Sequence, residues 1–223
     1  MRQIDTLIFD YGGVLVNIDD GQVVRSLKNL GISGFKQLWY ARTIKRLMHQ
    51  FIDGLVPEDD TLKEMLKLCR KGTTKDDILE VLDKLCGNLP LDRMQALVKL
   101  RKKYKIYLLS NINEFLWRKS VRQIRELGLE PGDCFDVFFL SYEIGIAKPD
   151  RRIYDFVKAK TGLIPDRTLY FDDRKDNFEA GRNYGFKSVL VRTDHIEESR
   201  EWNELLEEIV LKNGTDIHSN TIR

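Results

Sequence analysis

Cysteine, long apolar runs and net charge are all in short supply in this chain. The three cysteines, Cys69, Cys86 and Cys134, are odd in number and widely spaced, with no CxxC pair. That spacing excludes a CxxC metal or redox centre and leaves free thiols in a reducing compartment. No apolar run approaches the roughly 20 residues that a bilayer-spanning helix requires, so no membrane partner is expected. The formal net charge is only +2. Without a strong single-sign field, nothing draws the chain to nucleic acid. The sequence runs almost directly into the apolar segment Leu7-Ile8-Phe9. The expectation is therefore a cytoplasmic protein with no signal peptide.

What is present is ordinary in amount and specific in order. At 223 residues the chain could hold one large domain or two small ones. Five short apolar runs read as buried strands: Leu7–Phe9, Ile106–Leu109, Val137–Leu140, Leu169–Phe171 and Ser188–Val191. Helical patterns alternate with them, over Leu91–Lys103, Glu114–Leu127, Arg151–Thr161, Asn177–Tyr184 and Ile196–Lys212. Gly128, Gly162 and Gly185 stand as stops. Strand–helix alternation predicts an α/β fold with a doubly wound parallel sheet.

Residues 19–90 differ. Four apolar stripes follow one another there without a convincing strand: Val23, Leu27 and Leu30; Leu38, Ile44, Leu47 and Phe51; Leu62, Met65, Leu66 and Cys69; Ile78, Leu82 and Leu85. Thr74-Lys75-Asp76-Asp77 reads as a helix start, Asp19-Asp20 as the N-cap of the first of these helices, and Asp53-Gly54 as a turn that could reach inward. The predicted organisation is a core over 1–18 and 91–213, a smaller all-helical insert over 19–90 that sits as a lid, and a polar tail over 214–223. Trp39, Tyr40, Arg42, Arg46 and His49 mix aromatics with bases. A lid helix showing its arginines to solvent explains that mixture better than a ligand grip.

Polar groups punctuate the strand ends. Leu7-Ile8-Phe9 stops at Asp10, followed by Gly12-Gly13; Leu108-Leu109 stops at Ser110-Asn111; Lys148-Pro149 follows the third run; Leu169-Tyr170-Phe171 stops at Asp172-Asp173, with Asp176-Asn177 one turn later. In open α/β sheets the ligand crevice lies at these carboxyl ends. Each group alone has a structural explanation: Ser110-Asn111 or Asp176-Asn177 as helix caps, Asp10 as a turn residue, Lys148-Pro149 as a loop. Together they supply a carboxylate nucleophile, phosphate donors, a lysine and an acidic cluster suited to Mg²⁺.

The order hhhD-x-x-x-h, hhhSN, KP and hhDDxxxN resembles the haloacid dehalogenase superfamily over nearly the whole chain. The helical insert resembles that superfamily's type 1 cap, and the motif wording is similar to that of a bacterial subgroup acting on α-glucose 1-phosphate and related sugar phosphates. The resemblance implies a Mg²⁺-dependent phosphatase of small phosphorylated substrates. In it Asp10 would attack phosphorus and bind the metal, and the Gly12 carbonyl would be a second ligand. Ser110 and Asn111 would hold phosphoryl oxygens, and Lys148 would neutralise them. Asp173 would ligate the metal directly, Asp172 through water, and Asp176 would support the cluster or orient Lys148.

One position departs from the family pattern. The usual D-x-D places a second Asp, the general acid and base, where this chain has Gly12. Such a group is typically worth about 10²–10⁴-fold in rate. Three chemistries stay open on that account. The first is hydrolysis of phosphates with good leaving groups, sugar 1-phosphates foremost, with Asp19, Asp20, a substrate hydroxyl or water as acid. The second is attack on carbon, as in 2-haloacid dehalogenases. The third is binding of a phosphorylated ligand without turnover.

Overall fold

Leu7, Ile8 and Phe9 are all fully buried, which requires a strand covered on both faces. The computed structural model describes residues 3–18, 20–31, 37–84, 87, 89–191, 206 and 221–222. Asp19, Cys86, the side chains of Asp20, Trp39 and Tyr40, and all but Leu206 of the helix expected over 196–212 lie outside them.

Strands β1 (Thr6–Phe9), β2 (Lys105–Ser110), β3 (Val137–Leu140), β4 (Thr168–Asp172), β5 (Lys187–Val191) and β6 (Thr221–Ile222) form one sheet in the order β3-β2-β1-β4-β5-β6. Every pairing is parallel. The chain is thus an α/β protein with a doubly wound parallel sheet. The order reverses at β1, between β2 and β4, the place where such folds open a crevice. Alternation sorts the strand side chains to two faces. Leu7 and Phe9 join one apolar cluster, with Met94, Leu97, Leu116 and Ile124; Ile8 joins the other, with Ile153, Tyr154 and Val157. Phe9 and Phe171, cross-strand neighbours, stack with ring centroids 4.6 Å apart.

Four helices lie between β1 and β2 before the first core helix: α1 (Asp20–Asn29), α2 (Gln37–Asp53), α3 (Glu58–Leu66) and α4 (Lys75–Asp83). Leu27, Leu47, Phe51, Leu62, Met65, Ile78 and Leu82 of the four stripes are buried. Thr74 caps α4 as the sequence predicts, accepting from Asp77 N while Asp77 Oδ2 accepts from Thr74 N. The two crossings of the chain touch, Gly87 N donating to Asn17 O at 3.0 Å. Arg42 and Arg46 are exposed, as a solvent-facing helix requires.

The core helices are α5 (Leu91–Leu100), α6 (Glu114–Glu126), α7 (Pro131–Cys134), α8 (Ser141–Ile144), α9 (Arg151–Thr161) and α10 (Lys175–Tyr184). Helix α6 starts at Glu114, as the pattern predicts, and Asn113 caps it, its Oδ1 accepting from Leu116 N. One helix start differs from the sequence reading. Helix α10 starts at Lys175 instead of Asn177, because Asp172 Oδ1 accepts from Arg174 N and fixes the turn two residues earlier. In the expected loose tail, Thr221–Ile222 pairs with Leu190 and Val191 of β5, where an edge strand offers unsatisfied backbone groups. Among the described residues no helix is long and apolar enough to cross a membrane, and Cys69 and Cys134 are free thiols.

Candidate active site

Asp10 sits just beyond β1, held there by its own N–H donating to Phe171 O at 2.9 Å. The following loop closes on itself. Leu15 and Val16 N–H donate to Tyr11 O, and Gly13 N–H donates to Val16 O at 2.8 Å. Arg93 of α5, almost completely buried, donates to Val14 O and Leu15 O at 3.2 Å each. The two glycines of this loop are not equivalent. Gly13 has φ +74°, and a Cβ there would overlap Asp173 Oδ2. At Gly12 the backbone is not left-handed, and a Cβ would meet only Ile18, whose Cδ1 would be 3.0 Å away. The fold therefore demands glycine at 13 and merely accommodates it at 12.

Lys148 ties the strand ends together. Its buried Nζ lies 3.0 Å from Asp10 Oδ2 and donates to Asp172 Oδ2 at 2.8 Å and Leu109 O at 2.7 Å. Burial opposes the lysine's charge, but Asp10 and Asp172 outweigh it and hold the pKa above the usual lysine value. Asp172 is saturated with donors. Tyr170 Oη bonds Oδ2 at 2.5 Å, Asn177 Nδ2 bonds Oδ1 at 3.0 Å, and Arg174 N bonds Oδ1 at 2.9 Å.

Carboxylate oxygens of Asp10, Asp172 and Asp173 all lie within 4.8 Å of one another. Burial, with Asp172 adding repulsion and Lys148 opposing, pushes Asp10 up to about 6. Burial, then the charges of Asp10 and Asp172, pushes Asp173 up to about 7. Two buried carboxylates and one partly buried one, facing a single lysine, carry an excess of negative charge that a hard divalent cation relieves. The donor set is all oxygen, as Mg²⁺ prefers. The residues present therefore fit that ion.

Ser110 is buried at the end of β2. Asn111 is engaged on every side: Oδ1 accepts from Lys148 N at 2.8 Å, and Nδ2 donates to Lys148 O at 2.9 Å and Asp53 Oδ1 at 3.0 Å. Asp53 comes from the last turn of α2, so the helical insert reaches the strand ends. Ser141 Oγ, at the start of α8, donates to Asp53 O at 2.6 Å. Asp176 is not brought into the cluster; it pairs with Arg174, Nη2 to Oδ2 at 2.9 Å, which holds its carboxyl below the usual range. Its neighbour Asn177 reaches Asp172 instead.

Sequence reasoning missed Tyr170 and Arg93; it marked Asn177 as the last residue of the fourth motif without giving it the Asp172 contact. Tyr170 looked like one more core aromatic, although its i,i+2 spacing from Asp172 puts both on one face of β4. Arg93 gave no signal, since an arginine in an amphipathic helix normally faces water.

The sequence profile of haloacid dehalogenase-like hydrolases matches residues 4–185. The chain is 29% identical over 187 residues to a D-ribitol-5-phosphate phosphatase of Bacteroides thetaiotaomicron, covering 83% of this chain and 90% of that one. It is 26% identical to an (S)-2-haloacid dehalogenase of Burkholderia cepacia over 82% of this chain and 81% of that one. Among solved structures, a HAD-family enzyme of B. thetaiotaomicron superposes with a TM-score of 0.82 at 25% identity, over 92% of this chain and 99% of that one. The same enzyme's complex with magnesium and inorganic phosphate gives 0.74 at 25% identity, over 87% of this chain and 100% of that one.

Proposed function

The chain belongs to the haloacid dehalogenase-like hydrolase family, and from that premise we propose that it is a Mg²⁺-dependent phosphatase of small phosphate monoesters that works through an aspartyl-phosphate at Asp10. The observation that carries the proposal is the meeting of Asp10, Asp172 and Asp173 within 4.8 Å, with Lys148 3.0 Å from Asp10. A 2-haloacid dehalogenase needs a carboxylate nucleophile but no such metal cluster, so the acidic trio favours phosphorus over carbon as the electrophile.

In this mechanism Asp10, Asp173 and the Gly12 carbonyl would hold Mg²⁺, and Asp172, whose oxygens already accept from protein donors, would act on it only through water. The ion supplies positive charge to the phosphoryl oxygens when bound. Ser110 and Asn111 receive the same oxygens, and Lys148 keeps its charge beside the nucleophile. An Asp10 oxygen forms a bond to phosphorus as the ester oxygen leaves; water then cleaves the aspartyl-phosphate. Residues 19–90 act as a cap over the crevice, with α2 delivering Asp53 to its floor. Substrates are small sugar phosphates. Sugar 1-phosphates suit a site without an acid at position 12, because an anomeric oxygen leaves more readily than a primary alkoxide. The relative's ribitol phosphate adds polyol phosphates to the class.

The test is phosphate release from a panel of sugar and polyol phosphates, with Mg²⁺ and with chelator, using the full chain and Asp10→Asn. Mg²⁺-dependent release that Asp10→Asn abolishes is the expected result. Halide release from 2-haloacids with no phosphate release would instead make the chain a dehalogenase. Ligand binding that survives in Asp10→Asn, with no turnover by either protein, would make it a phospholigand binder.

A further inference from the structure

Asn111 Nδ2 has two protons, and both are committed, one to Lys148 O and one to Asp53 Oδ1. A phosphoryl oxygen that takes a bond from Asn111 must displace one of these acceptors. The Lys148 carbonyl is fixed, since Asn111 Oδ1 also holds Lys148 N. Asp53 is the acceptor that can give way. Its Oδ2 takes no hydrogen bond among the described residues, while its main chain stays anchored by Ser141. Gly54 locks that anchorage: with φ +64°, it packs so closely that a Cβ would lie 2.6 Å from Tyr142 Cβ. A substrate oxygen that takes this bond from Asn111 would free the Asp53 carboxyl while the Asp53 backbone stays held by Ser141.

We propose that Asp53, delivered by α2, is the general acid and base that position 12 lacks. The inference rests on the phosphatase reading and deepens it. In the first step Asp10 bonds to phosphorus, the P–O bond to the leaving group breaks, and the departing oxygen takes the Asp53 proton. In the second, the Asp53 carboxylate takes a proton from water as the water oxygen bonds to phosphorus. The bond to Asp10 then breaks, its electron pair returns to Asp10, and inorganic phosphate departs. A neutral Asp53 is also the form compatible with an arriving phosphate dianion. Burial raises its pKa, against the bond from Asn111 and the charges of His49, Arg174 and Lys148.

The experiment compares kcat/KM, in Mg²⁺, for an aryl phosphate with a good leaving group (p-nitrophenyl phosphate) and an alkyl phosphate (glycerol phosphate). The proteins are the full chain, Asp53→Asn, and Asp53→Asn combined with Gly12→Asp. Asp53→Asn retains an oxygen to accept from Asn111, so the cap keeps its docking. The expected loss is about 10²–10⁴-fold on the alkyl ester and under about tenfold on the aryl ester. Gly12→Asp is expected to restore the alkyl rate, since a Cβ at position 12 meets only Ile18, whose Cδ1 would be 3.0 Å away. Equal losses on both esters would mean that Asp53 only docks the cap, and no loss on either would mean that another group is the acid; each overturns the proposal. A parent chain inert toward both esters would overturn the phosphatase reading itself.

Discussion

Gly13 and Gly12 show how differently two adjacent glycines constrain a site. A side chain at Gly13 would enter the space of Asp173, and its φ of +74° disfavours any L-residue. Gly13→Ala should therefore cost about 1–3 kcal/mol of stability and also displace a proposed metal ligand. Calorimetric titration with Mg²⁺ is expected to show lost affinity; unchanged affinity would mean that Asp173 is not a ligand. At Gly12 the backbone is not left-handed and a Cβ would meet only Ile18, so the backbone does not demand glycine there. Asp10, Asp172 and Asp173 were legible in the sequence because each ends an apolar run at a strand end, and Lys148 through its place in the order of motifs. The Asp53–Asn111 contact joins residues 58 apart in sequence. The turn signal at Asp53-Gly54 marks a bend that could reach inward, as it does, without telling that Asn111 is its partner.

At the scale of elements, strands buried on both faces announce themselves as short continuous apolar runs, and all five were placed to within a residue or two. Helix stops at Gly128, Gly162 and Gly185 follow from left-handed φ values of +77°, +71° and +110°. Helix starts at Leu91, Glu114 and Arg151 coincide with the sequence pattern, whereas α10 begins two residues early, at Lys175. Ser110-Asn111 has a good cap composition, but Asn111 is committed to Lys148 and Asp53, and Asn113 does the capping. Docking of α2 against α8 rests on one turn at Gly54. Gly54→Ala forces an L-residue to φ +64° and drives its Cβ toward Tyr142 and Asn113. The expected outcome is a lower denaturation midpoint, by about 1–3 kcal/mol, together with a larger fall in kcat/KM than in stability. Unchanged kinetics would mean that the cap does not need this anchorage for turnover.

For the whole molecule, the acidic trio links stability to pH and to metal. Asp10 at about 6 and Asp173 at about 7 both stand above the ordinary carboxyl value of 3.8. The folded, metal-free protein therefore binds more protons than the unfolded chain between about pH 4 and pH 7. Its stability falls as pH rises through that window. Thermal melts in chelator should show Tm dropping from about pH 5 to about pH 8. Mg²⁺ should restore it at the higher pH, by about 2.7 kcal/mol at a hundredfold excess over Kd, and add little at the lower. An equal Mg²⁺ effect at both would separate the trio from the metal. If the proposed mechanism operates, Asp10 becomes phosphorylated during turnover. Rapid acid quench of the full chain working on a sugar phosphate with Mg²⁺, followed by peptide mass spectrometry, tests it most directly. One phosphoryl group is expected on the peptide carrying Asp10, absent without Mg²⁺ and absent in Asp10→Asn. Mg²⁺-dependent phosphate release at an undiminished rate in Asp10→Asn, with no phosphoryl group on that peptide in either protein, would contradict it.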